Sequence, residues 1–377
     1  MEDRGSHSSK SKHSFTEQLI PSSFYTIFRE ERTFLALIGI FFFLAGITFP
    51  NAEVAKWVGF ALAGYSAIAN DSIQTIGTFL ASNEDKKWWV LWLFIGGIFL
   101  ATVGYSWYVY DGDVSHQRLA AKGFSEAPET FSFLQVAAPI FLLLLTRMRM
   151  PVSTTFLLLS SFSASAAAIG NVLVKSLSGY FVAFIVAIIL WIALSKVFRR
   201  YFVGEPHPMW TLFQWITSGT LWSVWIMQDA ANIAVYLPRS LNIWQFLAFA
   251  LYIFVGLGIL FYLRGDRIQE VVNEKSDVRD VRSATVIDFI YAIILYYFKI
   301  QSNIPMSTTW VFLGLLAGRE IAMSITDAER KGKPLRISLK LIGRDAGYAL
   351  IGLGVSIALA ISINPDIEAD ILKFFFG

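Results

Sequence analysis

Cysteine is absent from this 377-residue chain, and histidine is scarce: His7, His13, His116 and His207 all fall in predicted tails or loops. Thiol catalysis, disulfide stapling and Cys/His zinc chemistry therefore lack their ligands. No glycine-rich phosphate loop of the Walker type occurs, so ATP-driven pumping has no cradle for its nucleotide. The sequence offers no enzymatic constellation, and no cofactor is expected beyond a coupling ion. Charge is sparse as well: Asp, Glu, Lys and Arg make up 16% of the residues, and the net +3 is accounted for by basic loops. Nucleic acid is not expected as a partner.

Apolar residues make up 55% of the chain and aromatics 16%, well above a soluble domain of this length. Residues 34–50, 88–110, 177–195, 242–263 and 346–363 carry no charge, and runs of this length predict transmembrane helices in contact with membrane lipid. Residues 57–82 and 209–237 are also long enough to cross, but each holds one aspartate, Asp71 and Asp229, among small and amide residues. Two further pairs of apolar runs, 131–145 with 151–174 and 285–300 with 304–318, are split by a proline-bearing break. Each pair is either two short crossings or one re-entrant hairpin. Either way, backbone freed by the proline must be buried in protein or face a water-filled cavity, because lipid cannot satisfy it. The expected fold is an all-α polytopic membrane protein with about 9–11 membrane segments.

A two-part pattern recurs along the chain. Pro151-Val152-Ser153-Thr154-Thr155 is matched by Pro305-Met306-Ser307-Thr308-Thr309, each leading into an apolar run. Upstream of each lies a second shared element, Ala69-Asn70-Asp71-Ser72-Ile73-Gln74 and Met227-Gln228-Asp229-Ala230-Ala231-Asn232. Recurrence in register implies an internal duplication. The expected organisation is a disordered cytoplasmic tail over 1–33, a first repeat over 34–176, a second over 177–345, and a last helix with a short tail over 346–377. The charged segment 264–283 reads as a cytoplasmic linker with a weak amphipathic face. The first residues do not resemble a signal peptide, so the first span is expected to be retained.

Basic residues sort the loops. Lys86 and Lys87, then Lys196, Arg199 and Arg200, then the 264–282 and 330–344 clusters mark four loops as cytoplasmic, while the acidic segments 111–129 and 366–370 fall outside. This predicts a cytoplasmic N-terminus in the plasma membrane, or the inner membrane of a Gram-negative cell. The Asp71 and Asp229 segments then cross in opposite directions, so the two copies are expected to be inverted. Inverted repeats with broken helices are a construction of secondary transporters, which bind substrate and ion between the halves.

The residue types indicate the chemistry. In Pro-x-Ser-Thr-Thr the serine suits an N-cap and the threonines the first turn, gathering hydroxyls and free amides at the positive end of a helix dipole, where anions bind. The anion-side candidates are Ser153, Thr154, Thr155, Ser307, Thr308 and Thr309. A carboxylate at mid-membrane costs at least ~2.5 kcal/mol, so it persists where it meets a cation, a proton or a polar cavity. Asp71 with Gln74, and Asp229 with Asn232, stand about one turn apart, a spacing that gathers oxygens suited to a hard cation. Arg147 and Arg149 precede Pro151, whereas the second copy has Gln301 and Asn303 there. They pair with an oxyanion if the break is a hairpin tip, or mark a cytoplasmic turn if it is not. Asp288, with no counterpart in the first copy, is either a proton-coupling group or a residue at the interface near Arg282.

These four motif segments resemble the duplicated signature of the inorganic phosphate transporter (PiT) family, which includes sodium- or proton-coupled phosphate symporters and related sulfate permeases. The likeness covers about residues 57–345 in architecture and is sharp only in the motifs. It implies ion-coupled symport of phosphate or sulfate, with Asn70, Asp71, Gln228, Asp229 and Asn232 on the cation side and the Ser-Thr-Thr tips around the oxyanion. Gln74 and Gln228 depart from the family's asparagines, and the helix from Trp88 to Tyr110 lacks the glutamate common there. Both Na+ and H+ stay open as coupling ions. So do a non-transporting sensor or assembly role on the same scaffold and a homodimer.

Overall fold

The computed structural model describes residues 31–120, 123–148, 150–163, 165–263, 280–326 and 334–376, without the side chains of residues 72–74, 198–199 and 371–376. The expected tail over 1–33, apart from its last three residues, and nearly all of the 264–283 linker lie outside that range. Every regular element among the described residues is helical. In chain order they are α1 (Arg32–Thr48), α2 (Ala52–Ala67), a π turn (Ile68–Ser72), α3 (Ile73–Ser82), α4 (Trp88–Val109) and α5 (Phe133–Arg147). A second π turn (Thr155–Leu159) follows, then α6 (Ala166–Tyr201), α7 (Met209–Ala234) and α8 (Ile243–Tyr262). The chain ends with α9 (Val281–Gln301), α10 (Thr308–Thr326), α11 (Leu335–Ile363) and α12 (Pro365–Phe376).

Five of these helices, α4, α6, α8, α9 and α11, are long and apolar enough to cross a membrane. Four of them contain uncharged runs of the sequence. The fifth run, 34–50, forms the 17-residue α1, at the short end of spanning length. The run 177–195 is only the middle of α6, which begins at Ala166 and has 36 residues. The boundaries drawn at 176/177 and 345/346 accordingly fall inside α6 and α11.

Both split pairs double back. Beyond the first tip the helical arm covers only residues 154–160, about 10 Å at 1.5 Å per residue, against a hydrocarbon core of about 30 Å. The Gln135 side chain, near the start of α5, donates to the Ser161 carbonyl at 3.1 Å, so the arm returns to where α5 began. In the second pair the Tyr291 hydroxyl donates to the Thr308 carbonyl at 2.9 Å, which sets the start of α10 midway along α9. Both pairs are helical hairpins whose tips turn back inside the bundle.

The aspartate-bearing helices run antiparallel. At one end Asn83 donates to Gln214 at 2.8 Å and accepts from the Trp215 indole at 2.9 Å; at the other, Gly59 lies against the Tyr236 ring. Helices α4 and α8 are antiparallel too, with Trp88 against Tyr262 and, at the opposite end, Trp107 stacked on Phe246 at 4.9 Å. Helix α10 packs on α6 through Gly314 and Gly318, where an added Cβ would sit 2.3 Å from the Tyr180 and Phe184 carbonyl oxygens. Small residues four apart let two backbones approach in this way where lipid supplies no hydrophobic drive.

Candidate functional site

The hairpin tips and the two aspartate segments converge in the interior. Asn70, Asp71, Ser153, Thr154, Thr155, Gln228, Asp229, Asn232, Ser307, Thr308 and Thr309 are all buried, none more than 4% exposed. The tips start their helices alike. The Ser153 hydroxyl accepts from the Phe156 amide and the Ser307 hydroxyl from the Trp310 amide, both at 3.2 Å. The serines therefore act as caps, leaving the threonine hydroxyls free to face the site.

The tips also touch each other. The Thr155 hydroxyl lies 3.1 Å from the Met306 carbonyl of the other tip and 3.3 Å from the Asp229 carboxylate, with one proton to give to either. Asn232 donates to Thr155 at 3.2 Å and to Asp229 at 2.6 Å. In the first copy Asn70 donates to Asp71 at 2.7 Å and to the Val152 carbonyl of its own tip at 3.2 Å. Thr154 lies beside Asp71 as its counterpart Thr308 lies beside Asp229, and the two aspartates are within electrostatic reach of one another. Tyr291 of α9 faces both aspartates.

Four oxygens of this cluster have no hydrogen-bond partner among the described residues: Thr154 Oγ1, Gln228 Oε1, Asp229 Oδ2 and Asn232 Oδ1. Gln228 spends its amide nitrogen on the Leu295 carbonyl at 3.0 Å, which turns its oxygen into the site. Buried acceptors left unpaired cost free energy. A set made of carboxylate, amide and hydroxyl oxygens suits a hard cation, a proton or a protonated anion. Helix α2 passes into α3 through the π turn Ile68–Ser72, which contains Asn70 and Asp71. Such turns free backbone groups from the α ladder and recur at functional sites.

Not every candidate gathers here. Arg147 pairs with Glu31, its Nε 2.8 Å from the carboxylate, and lies over the Phe34 ring, so its guanidinium is engaged at the start of α1. Arg149 and the Gln74 side chain lie outside the described residues. Asp288 lies in the interior between α3 and α7 while Arg282 pairs with Asp280 at 2.6 Å. Asp288 is 1% exposed and accepts from Thr78 at 2.6 Å and from Ser218.

Arg118, Lys175, Tyr291 and Lys299 also reach the site's surroundings, and sequence reasoning missed them. Lys175 and Lys299 gave a signal, since each is a lone lysine in or beside an apolar run. Arg118 and Tyr291 gave none.

No protein-family model and no curated protein matches the chain. A solved structure titled "The sodium-dependent phosphate transporter" does match, with a TM-score of 0.56 over 86% of this chain and 99% of that one, at 17% identity. The fold resembles that of a phosphate transporter. At this identity the likeness speaks for architecture, that of a multi-pass, all-α membrane protein, and residue roles rest on the geometry above.

Proposed function

We propose that this chain is a secondary transporter of an inorganic oxyanion, phosphate in the first place, driven by symport of Na+ or H+ and not an enzyme. The observation that carries the reading is the meeting of the two Ser-Thr-Thr helix starts beside the paired aspartates, with four oxygens left unpaired. The helix starts supply amides and hydroxyls to the anion. The Asp71 and Asp229 clusters take the cation or proton that offsets its charge. Antiparallel packing of the aspartate helices supports two inverted copies that rock about the site, in alternating access. The basic loops support a plasma-membrane placement with the N-terminus inside.

Phosphate is favoured over sulfate by one feature. At neutral pH phosphate retains a proton that sulfate lacks, and the free Asp229 Oδ2 is an acceptor for it. The test is uptake of radiolabelled phosphate into proteoliposomes under imposed Na+ or H+ gradients, with sulfate as competitor. Uptake driven by one gradient and weakly inhibited by sulfate supports the reading. Uptake under neither gradient defeats it, and stronger inhibition by sulfate than by unlabelled phosphate reassigns the substrate.

A further inference from the structure

Two cationic side chains from separate elements converge on one short stretch of backbone ahead of the second tip, and a third stands beside them. Arg118, in the segment between α4 and α5, is 0% exposed. Its Nη1 donates to the carbonyls of Ser302 at 2.6 Å and Ile304 at 3.1 Å. Lys175 of α6 donates to the same carbonyls at 3.1 and 2.7 Å and to the Ser302 hydroxyl at 2.9 Å. Lys299 of α9 lies 3.3 Å from the His116 carbonyl and is within electrostatic reach of both other cations.

None of the three makes a salt bridge among the described residues, although Asp229 lies within electrostatic reach of Arg118 and Asp113 within reach of Lys299. Two positive charges buried side by side, with a half-buried third within reach, repel one another, and neutral carbonyls return little of the lost hydration. Arg118 also keeps a buried Nη2 with no hydrogen-bond partner. A guanidinium with one arm held and the other free is arranged to receive an oxyanion on the free arm. The place is apt, because residues 302–304 lead directly into the Pro305-Met306-Ser307 tip whose Met306 carbonyl meets Thr155.

We infer that Arg118, Lys175 and Lys299 form an outer anion-binding station that receives a tetrahedral oxyanion before it passes to the Ser-Thr-Thr tips. This rests on the oxyanion reading but is a distinct site, on the side of the tips that faces the segment between α4 and α5. An anion held there neutralises the cluster, and attraction by three cations raises its local concentration at the tips.

The experiment is equilibrium binding of radiolabelled inorganic phosphate to the purified full chain at low salt, with uptake measured in parallel. Arg118→Gln and Lys175→Gln are expected to weaken binding roughly ten-fold or more, the size of a lost charge-assisted hydrogen bond. Arg118→Lys should recover part of the loss. In uptake, the half-saturating phosphate concentration should rise while the maximal rate holds. Because Arg118 also braces backbone, Lys299→Gln serves as the second variant, with an expected loss of about three-fold at this half-buried position. Unchanged phosphate binding in folded Arg118→Gln, or in both lysine variants, overturns the station. Binding without transport would remove the transporter reading and leave the station standing; no phosphate binding by the parent chain removes both.

Discussion

The two halves of the site are built from the same motif and finished differently. In the first copy both motif segments are distorted: Asn70 and Asp71 sit in a π turn, and Thr155 opens a second one whose arm ends by residue 160. In the second copy Asp229 and Asn232 lie in an unbroken α-helix, and the tip opens the 19-residue α10. The shared chemistry is kept, with matching serine caps and each aspartate beside its own tip's threonine. A duplicated pattern thus fixes which groups meet, while the backbone of each copy adapts to its own neighbours. The first copy carries the freed backbone and the second the rigid support.

If both copies are needed, removing either carboxylate should be equally severe. Asp71→Asn and Asp229→Asn are each expected to lower phosphate uptake at least a hundred-fold, about 3 kcal/mol, while the protein still inserts and purifies. A variant that retains uptake would show that one copy alone couples the ion.

The rigid support can be tested through packing. Gly314→Ala places a Cβ 2.3 Å from the Tyr180 carbonyl oxygen, and such overpacking should cost about 2 kcal/mol, read as a lowered thermal midpoint in detergent. Gly170→Ala, on α6 where a Cβ meets nothing within 4 Å, should leave the midpoint unchanged. Equal effects would remove the distinction between braced and open positions.

Between the tips, Thr155 bridges both copies whereas Thr309 shows no such bridge. Thr155→Val should reduce uptake about ten-fold, near 1.5 kcal/mol, and Thr309→Val less. The reverse order would transfer the bridging role to the second copy.

The smallest expected effect concerns pH. Burial, reinforced by Lys299 and Arg118 and opposed by Asp113, pushes the His116 imidazole down to about 4 from 6.5. The fold therefore favours the neutral ring. Its contribution is complete above pH 6.5 and is lost as pH falls from there towards 4, about 1 kcal/mol at pH 5. His116→Gln should flatten this part of the stability profile, and an unaltered profile would show that the ring does not titrate at a cost.

The sequence carried the site's centre because duplication exposed it: Asp71, Asp229 and the two Pro-x-Ser-Thr-Thr tips each had a counterpart. Single-copy groups left no such mark, so Arg118 and Tyr291 were invisible. Charge misled at α6. Lys175 bounds the uncharged run 177–195, yet it lies inside the helix, where its amine reaches the Ser302 and Ile304 carbonyls. The break after residue 160 was hidden for a related reason. The Ser161 hydroxyl bonds back to the Leu157 carbonyl at 2.8 Å, so the side chain travels in an apolar run. The π turns had no sequence signal, since they arise where a helix yields to its surroundings.

The glycine seam between α10 and α6 also limits how the molecule can move. Contact this intimate, main chain against main chain, leaves no room for one rod to slide or swivel past the other. Any displacement of the second hairpin must then carry α6 with it, and Lys175 as passenger. The pivot for a rocking motion belongs at the looser borders of that pair, and a crosslink from α10 to α6 should leave transport untouched.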